Sequence, residues 1–202
     1  MISKELFDKI KKANGEFASW AVWEEAGAKP KSNMGPEKIL DPELNPDLLS
    51  TLTASVVMVG LNFSRELISP APLANFHDTY SRAQDYKIRF AFKNTAYWGA
   101  YMTDALKGLV EPSASAVRKF LTSNPEVAKT QIKDFETELQ FIEAEDPVII
   151  AFGRDSFEVL EKYLNKQRIR RLVKVTHYSH HVAKEKYRED VLGALAEAEK
   201  RV

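Results

Sequence analysis

Four short apolar runs, alternating with helical patterns, constrain this chain more than any other feature. Ser55–Gly60 and Val148–Phe152 are continuously apolar and rich in β-branched residues, the look of strands buried on both faces. Ala100–Thr103 and Arg171–Thr176 are weaker examples of the same pattern. Asn124-Pro125 opens a helix, with Asn as the cap and Pro in the first turn. Ala128, Ile132, Phe135, Leu139 and Ile142 form its apolar stripe, and its acids are expected to face outward. After Gly153 a further helix turns Phe157, Leu160 and Leu164 inward, and the last helix does the same with Tyr187, Val191 and Leu195. Strand–helix alternation of this kind predicts a three-layer α/β/α domain around a central, mostly parallel four-stranded sheet. In such folds ligands sit at the carboxyl ends of the strands.

The first 50 residues read differently. Ile2, Leu6, Phe7 and Ile10 recur at helical spacing until Gly15. A Pro-rich stretch from Trp20 to Pro46 then predicts a loop wrapped over the body and pinned by Trp20 and Trp23. The expected division is therefore a helix plus wrapping segment over residues 1–50 and an α/β domain over residues 51–202. At 202 residues and 44% hydrophobic the chain can bury a sizeable core. Its lack of cysteine excludes disulfides, thiolate metal ligands, iron–sulfur clusters and thiol nucleophiles. The longest apolar runs are too short to span a bilayer, and the N-terminus mixes acids with bases. The expectation is a cytoplasmic monomer without membrane contact. Net charge is zero, but residues 134–146 carry six acids and no base, whereas residues 166–188 carry eight Lys/Arg and one Glu. That basic segment fits phosphate contact or a solvated face.

All four histidines fall in two loops that follow strands: His77 after the first, and His177, His180 and His181 after the fourth. One reading is a metal-dependent hydrolase with ligands from this cluster and Asp78, although His-x-x-His-His matches no common ligand spacing. Acyl transfer through Ser64 or Ser179 lacks the G-x-S-x-G elbow. A dinucleotide site lacks the glycines that must follow Gly60.

A further reading comes from resemblance. Gly60-Leu61-Asn62 after a buried strand, with His177-x-Ser179 after the last one, resembles the two signature motifs of the uracil-DNA glycosylase superfamily. The segment Ala100–Lys107 and the helix–strand unit ending at Gly153-Arg154-Asp155 are similar to the intervening segments of its mismatch-specific branch, so the likeness runs from about residue 52 to 200. The resemblance implies a cofactor-free hydrolase that cleaves the N-glycosidic bond of a damaged or deaminated base flipped from DNA. It makes Asn62 the water-positioning residue and His177 the donor to the base oxygen where charge develops. It places Gly60, Leu61, Phe63, Ser64, Phe76, Asp104, Ser179 and His181 around the base and its phosphate, with Phe76 about where the stacking ring should lie and Phe63 and Tyr80 as competitors for that role. Arg168, Arg170, Arg171 and Lys184 would track the DNA phosphates.

Several residues depart from the motifs. Phe63 and Ser64 replace a Pro and a Gly, Tyr178 replaces a Pro, and His181 stands where an apolar wedge is usual. Asp104 stands near the place where many members of the superfamily carry an Asn that reads uracil, and an ionised carboxylate only accepts hydrogen bonds, which favours an amino group. These departures motivate the alternative of a non-catalytic nucleic-acid or nucleotide-binding protein on the same fold.

Overall fold

The computed structural model describes residues 1–64 and 71–200. Helix α1 (Lys4–Asn14) leads to β1 (Ser19–Trp20), a single turn α2 (Leu48–Thr51) and β2 (Thr53–Gly60). The chain continues through α3 (Tyr86–Phe92), β3 (Ala100–Asp104), α4 (Ala114–Ser123) and α5 (Pro125–Phe141). It ends with β4 (Val148–Phe152), α6 (Gly153–Tyr163), β5 (Arg171–Val175) and α7 (Lys184–Glu199). All four strands expected from the apolar runs are present. The sheet nevertheless has five strands and is mixed, in the order β1-β3-β2-β4-β5. The addition is β1, which pairs antiparallel with β3 through Ser19↔Met102 and Trp20↔Tyr101, while the other neighbours are parallel. A two-residue strand is below the length at which alternation can be read, so Ser19-Trp20 looked like loop.

Side-chain alternation along the strands divides the core into two layers. Val57, Val59, Tyr101, Ile149 and Ala151 pack with Phe7 and Ile10 of α1, Ile132 and Phe135 of α5, and Leu160 of α6. Met58, Met102, Ile150, Phe152, Val173 and Val175 pack with Ile88 and Phe92 of α3 and Tyr187 and Val191 of α7. The first 50 residues therefore supply a helix and an edge strand to the same core. Trp20 is fully buried against Tyr101, and Trp23 stacks on His77 with ring centroids 4.9 Å apart.

Helices α3 and α4, and the single turn α2, escaped the sequence reading. Only Val117 of α4 is buried, so it carries no apolar stripe to detect. Asn124 also acts differently from expectation: its Nδ2 donates to Phe120 O at 2.9 Å, closing α4 rather than capping α5. Nor do all acids of α5 face outward. Glu138 is buried, accepting from the Tyr101 hydroxyl at 2.8 Å and pairing with Lys107 Nζ at 2.5 Å. Asn14 Nδ2 donates to the same hydroxyl at 2.9 Å, so this charge enters the core inside a polar network. Among the described residues no helix is long and apolar enough to cross a membrane.

The connection from β2 goes to one side of that strand, and the return from β3 comes back to its other side as β4. Adjacent connections that leave in opposite directions open a crevice at the strands' carboxyl ends, here between Gly60 and Phe152.

Candidate functional site

A cleft of about 570 Å³ lies at that crevice, within the range of small-molecule sites (~300–1,000 Å³). It is lined by Gly60, Leu61, Asn62 and Ser64 after β2, Asp104 at the end of β3, Phe152 to Ser156 at the β4–α6 junction, and His177, Tyr178 and Ser179 after β5. Asn62 and His177, 115 positions apart in the chain, therefore face one cavity.

His177 is held by its own loop. The Ser179 backbone N–H donates to His177 Nδ1 at 3.1 Å, and the Ser179 hydroxyl lies 2.8 Å from the same atom. A nitrogen that accepts from an amide carries no proton, so the tautomer is Nε2–H. Burial pushes the pKa of His177 down to about 4, opposed by the charge of Asp155. The imidazole is therefore neutral at pH 7 and presents one donor. Its ring stacks on Tyr178 at a centroid distance of 4.3 Å. Ser179, expected on a phosphate, instead positions His177. The loop is anchored from below by the buried Lys87, whose Nζ donates to His180 O at 2.7 Å.

Gly153 makes this arrangement possible. Its φ is +86°, and a Cβ there would stand 3.1 Å from His177 Cβ and 3.3 Å from Cδ2. Gly153→Ala is expected to cost about 1–2 kcal/mol from the left-handed backbone alone. It should also displace the His177 ring, an outcome checked by urea denaturation together with the imidazole NMR signals.

Asn62 is half-buried, and its Nδ2 donates to the carbonyls of Phe63 (2.8 Å), Leu109 (3.2 Å) and Glu111 (2.9 Å). The nitrogen thus ties the β2 loop to residues 109–111, and any work on a water falls to Oδ1. Phe63 joins this tie through a bridge to Val110, is half-buried, and does not line the cleft.

Other expected positions are corrected. Phe76 is buried, with φ +62°, and lies beneath the floor rather than in the cleft. Its ring meets Phe152 and Tyr178, each at a centroid distance of 6.2 Å, and Phe152 is buried with it. The aromatic residues that line the cleft and keep some exposure are Tyr178, at the position where a Pro was expected, and Tyr80. His181 is exposed and outside the cleft lining. Arg168, Arg170 and Arg171 stand at the amino end of β5, the opposite edge of the sheet. Five strand residues at ~3.3 Å each separate them from the cleft. Arg170 pairs there with Asp146 at 3.1 Å. Lys184 sits over the Phe90 ring, pairs with Glu185, and lines a different cavity. A charge count along the sequence could not see that β5 carries its flanking cations to two ends.

The histidine cluster does not assemble. His77 is fully buried, with Nε2 2.9 Å from Val22 O and Nδ1 3.0 Å from Ser19 Oγ, and burial lowers its pKa to about 4. Among the described residues no three His, Asp or Glu side chains converge on a metal-binding geometry.

Among the described residues the cleft lining is acidic, with Asp78, Asp85, Asp104, Glu111 and Asp155 against Arg82 and Arg154. Asp155 accepts both its contacts from Arg118 Nη1 at 2.8 Å. The first turn of α6 opens on the cavity without a side-chain cap. Ser156 beneath it donates to Val59 O (3.0 Å) and Gly60 O (3.2 Å), fixing α6 against β2.

No protein-family model, curated protein sequence or solved structure matches this chain.

Proposed function

We propose that the cleft takes a single base extruded from DNA and that Asn62 and His177 hydrolyse its N-glycosidic bond. The observation that carries this reading is that both side chains line one cavity, with His177 fixed as a neutral Nε2–H donor. The base rests against Tyr178. As the glycosidic bond breaks, its electron pair leaves with the base, and His177 Nε2–H donates to the atom that gathers the charge. Asn62 Oδ1 orients a water toward the anomeric carbon; the water oxygen bonds to that carbon and its proton passes to solvent. A carboxamide is a poor base, so turnover is slow.

The acidic lining supports entry of the base alone. A nucleotide phosphate inside the cleft would meet several carboxylates, whereas phosphates left at the rim avoid them. This charge pattern disfavours the reading in which the cleft binds a free nucleotide. Among the described residues the metal-hydrolase reading finds no converging ligand set.

The test is incubation with oligonucleotides containing uracil, hypoxanthine, xanthine or an amino-bearing damaged base such as 5-hydroxycytosine, followed by alkali. Strand scission at the lesion is expected for at least one of them, in single turnover. No scission with any lesion at enzyme excess, together with salt-sensitive oligonucleotide binding, would replace catalysis by binding alone.

A further inference from the structure

Asp104 closes the floor of the cleft and is 4% exposed. Its Oδ2 accepts from Asn75 Nδ2 at 2.9 Å, and the same amide donates to Phe17 O at 2.8 Å, so the carboxylate plane is set from behind. The nearest ammonium does not neutralise it directly, because Lys107 Nζ donates to the Asp104 main-chain oxygen at 2.6 Å and pairs with Glu138. Oδ1 lies along Gly60: a Cβ there would come within 2.1 Å of it and within 3.3 Å of Phe76 Cζ. Glycine at position 60 therefore leaves room for this oxygen, and β2–β3 pairing sets the two residues side by side. No described side chain donates to Oδ1. Oδ1 is not one of the enclosed side-chain atoms left without a partner, so it keeps access to the cleft that Asp104 lines, where a ligand donor can meet it. An ionised carboxylate offers acceptors only.

We infer that Asp104 determines ligand choice: the cleft favours a heterocycle that presents an amino group to Oδ1 over one that presents a carbonyl at the same place. This rests on the proposed reading of the cleft as a base pocket. A carbonyl would set lone pair against lone pair, whereas an amino N–H completes the hydrogen bonding of Oδ1. Burial raises the pKa of Asp104 to about 6, against the Asn75 hydrogen bond and the Lys107 charge, so at pH 8 the group is ionised and acts as an acceptor.

The experiment titrates the full chain at pH 8 with cytidine and uridine, which differ at this edge by amino against carbonyl, following cleft resonances by NMR. Adenosine against inosine forms a second pair. Tighter binding of the amino member by about tenfold or more is expected in each pair. Asp104→Asn, whose amide can donate as well as accept, should erase or invert that preference while its dispersed spectrum confirms folding. Equal affinity within each pair, tighter uridine, or a preference unchanged in Asp104→Asn would overturn the inference and leave the base pocket standing. No perturbation of the cleft by any of the four nucleosides would overturn the base pocket itself.

Discussion

His177→Ala is expected to lower the single-turnover rate on the best lesion by about 10²–10³-fold, the usual cost of deleting one donor at a developing negative charge. The reason is geometric. Ser179 N–H and Oγ both meet Nδ1, so Nε2–H is the ring's remaining hydrogen-bonding group, and a pKa of about 4 keeps it neutral across the working range. Stability should change little, because the ring borders the cleft and makes no hydrogen bond outside its own loop. His177→Gln places an amide N–H near the former Nε2 and is expected to recover most of the lost rate. Measuring both variants on one duplex separates a donor role from a packing role. Equal losses in Ala and Gln variants would remove His177 from the chemistry. Asn62 cannot be tested as cleanly. Its Nδ2 holds the carbonyls of Leu109 and Glu111, so Asn62→Ala detaches a loop as well as a water site.

Asp104→Asn should raise the stability of the free protein at pH 8 by about 2–3 kcal/mol. Burial lifts this carboxyl from 3.8 to about 6, so between those values the folded state holds a proton that the unfolded state has released. Folding is therefore penalised as pH rises through that window, and the penalty is complete above about 6. At pH 4 the variant and the parent should converge. His77 and His177 act in the opposite sense. Each falls from 6.5 to about 4, so the stability they preserve is present above 6.5 and is lost as pH drops toward 4. The ring of His177 opens to the cleft, and the fully buried His77 supplies the larger share. In the parent the acid and the histidines offset one another across the overlapping window. In Asp104→Asn the histidine loss stands unmasked, so its denaturant midpoint should fall more steeply between pH 6.5 and 4. Equal stability of the two proteins at pH 8 would show that the carboxylate is better solvated than its burial indicates. A group that destabilises its own fold, set in a cleft, is the pattern of a site residue.

The layered architecture was legible from period and composition. A β-branched run such as Val56–Val59 is buried on both faces in any parallel sheet, and its length excludes a helix of useful size. The carboxyl-end rule then drew attention to Asn62, Asp104 and His177, which share a cleft. Local pattern carried less about the edges. β1 is two residues long, and α4 buries only Val117, so neither leaves a periodic trace.

The chain's own order of residues determined the strands, the loops that follow them and the chemical types those loops carry. The three-dimensional packing alone decided which groups are neutral, which are committed and which face the cavity. Phe76 is buried with Phe152 and against Tyr178, a packing between rings far apart in the chain. The arginines before β5 were carried away from the cleft because a parallel strand separates its two ends by its full length. The lowered pKa of His177 and the raised pKa of Asp104 arise from desolvation, a quantity that no window of residues contains, whereas the tautomer of His177 follows from Ser179 two residues on.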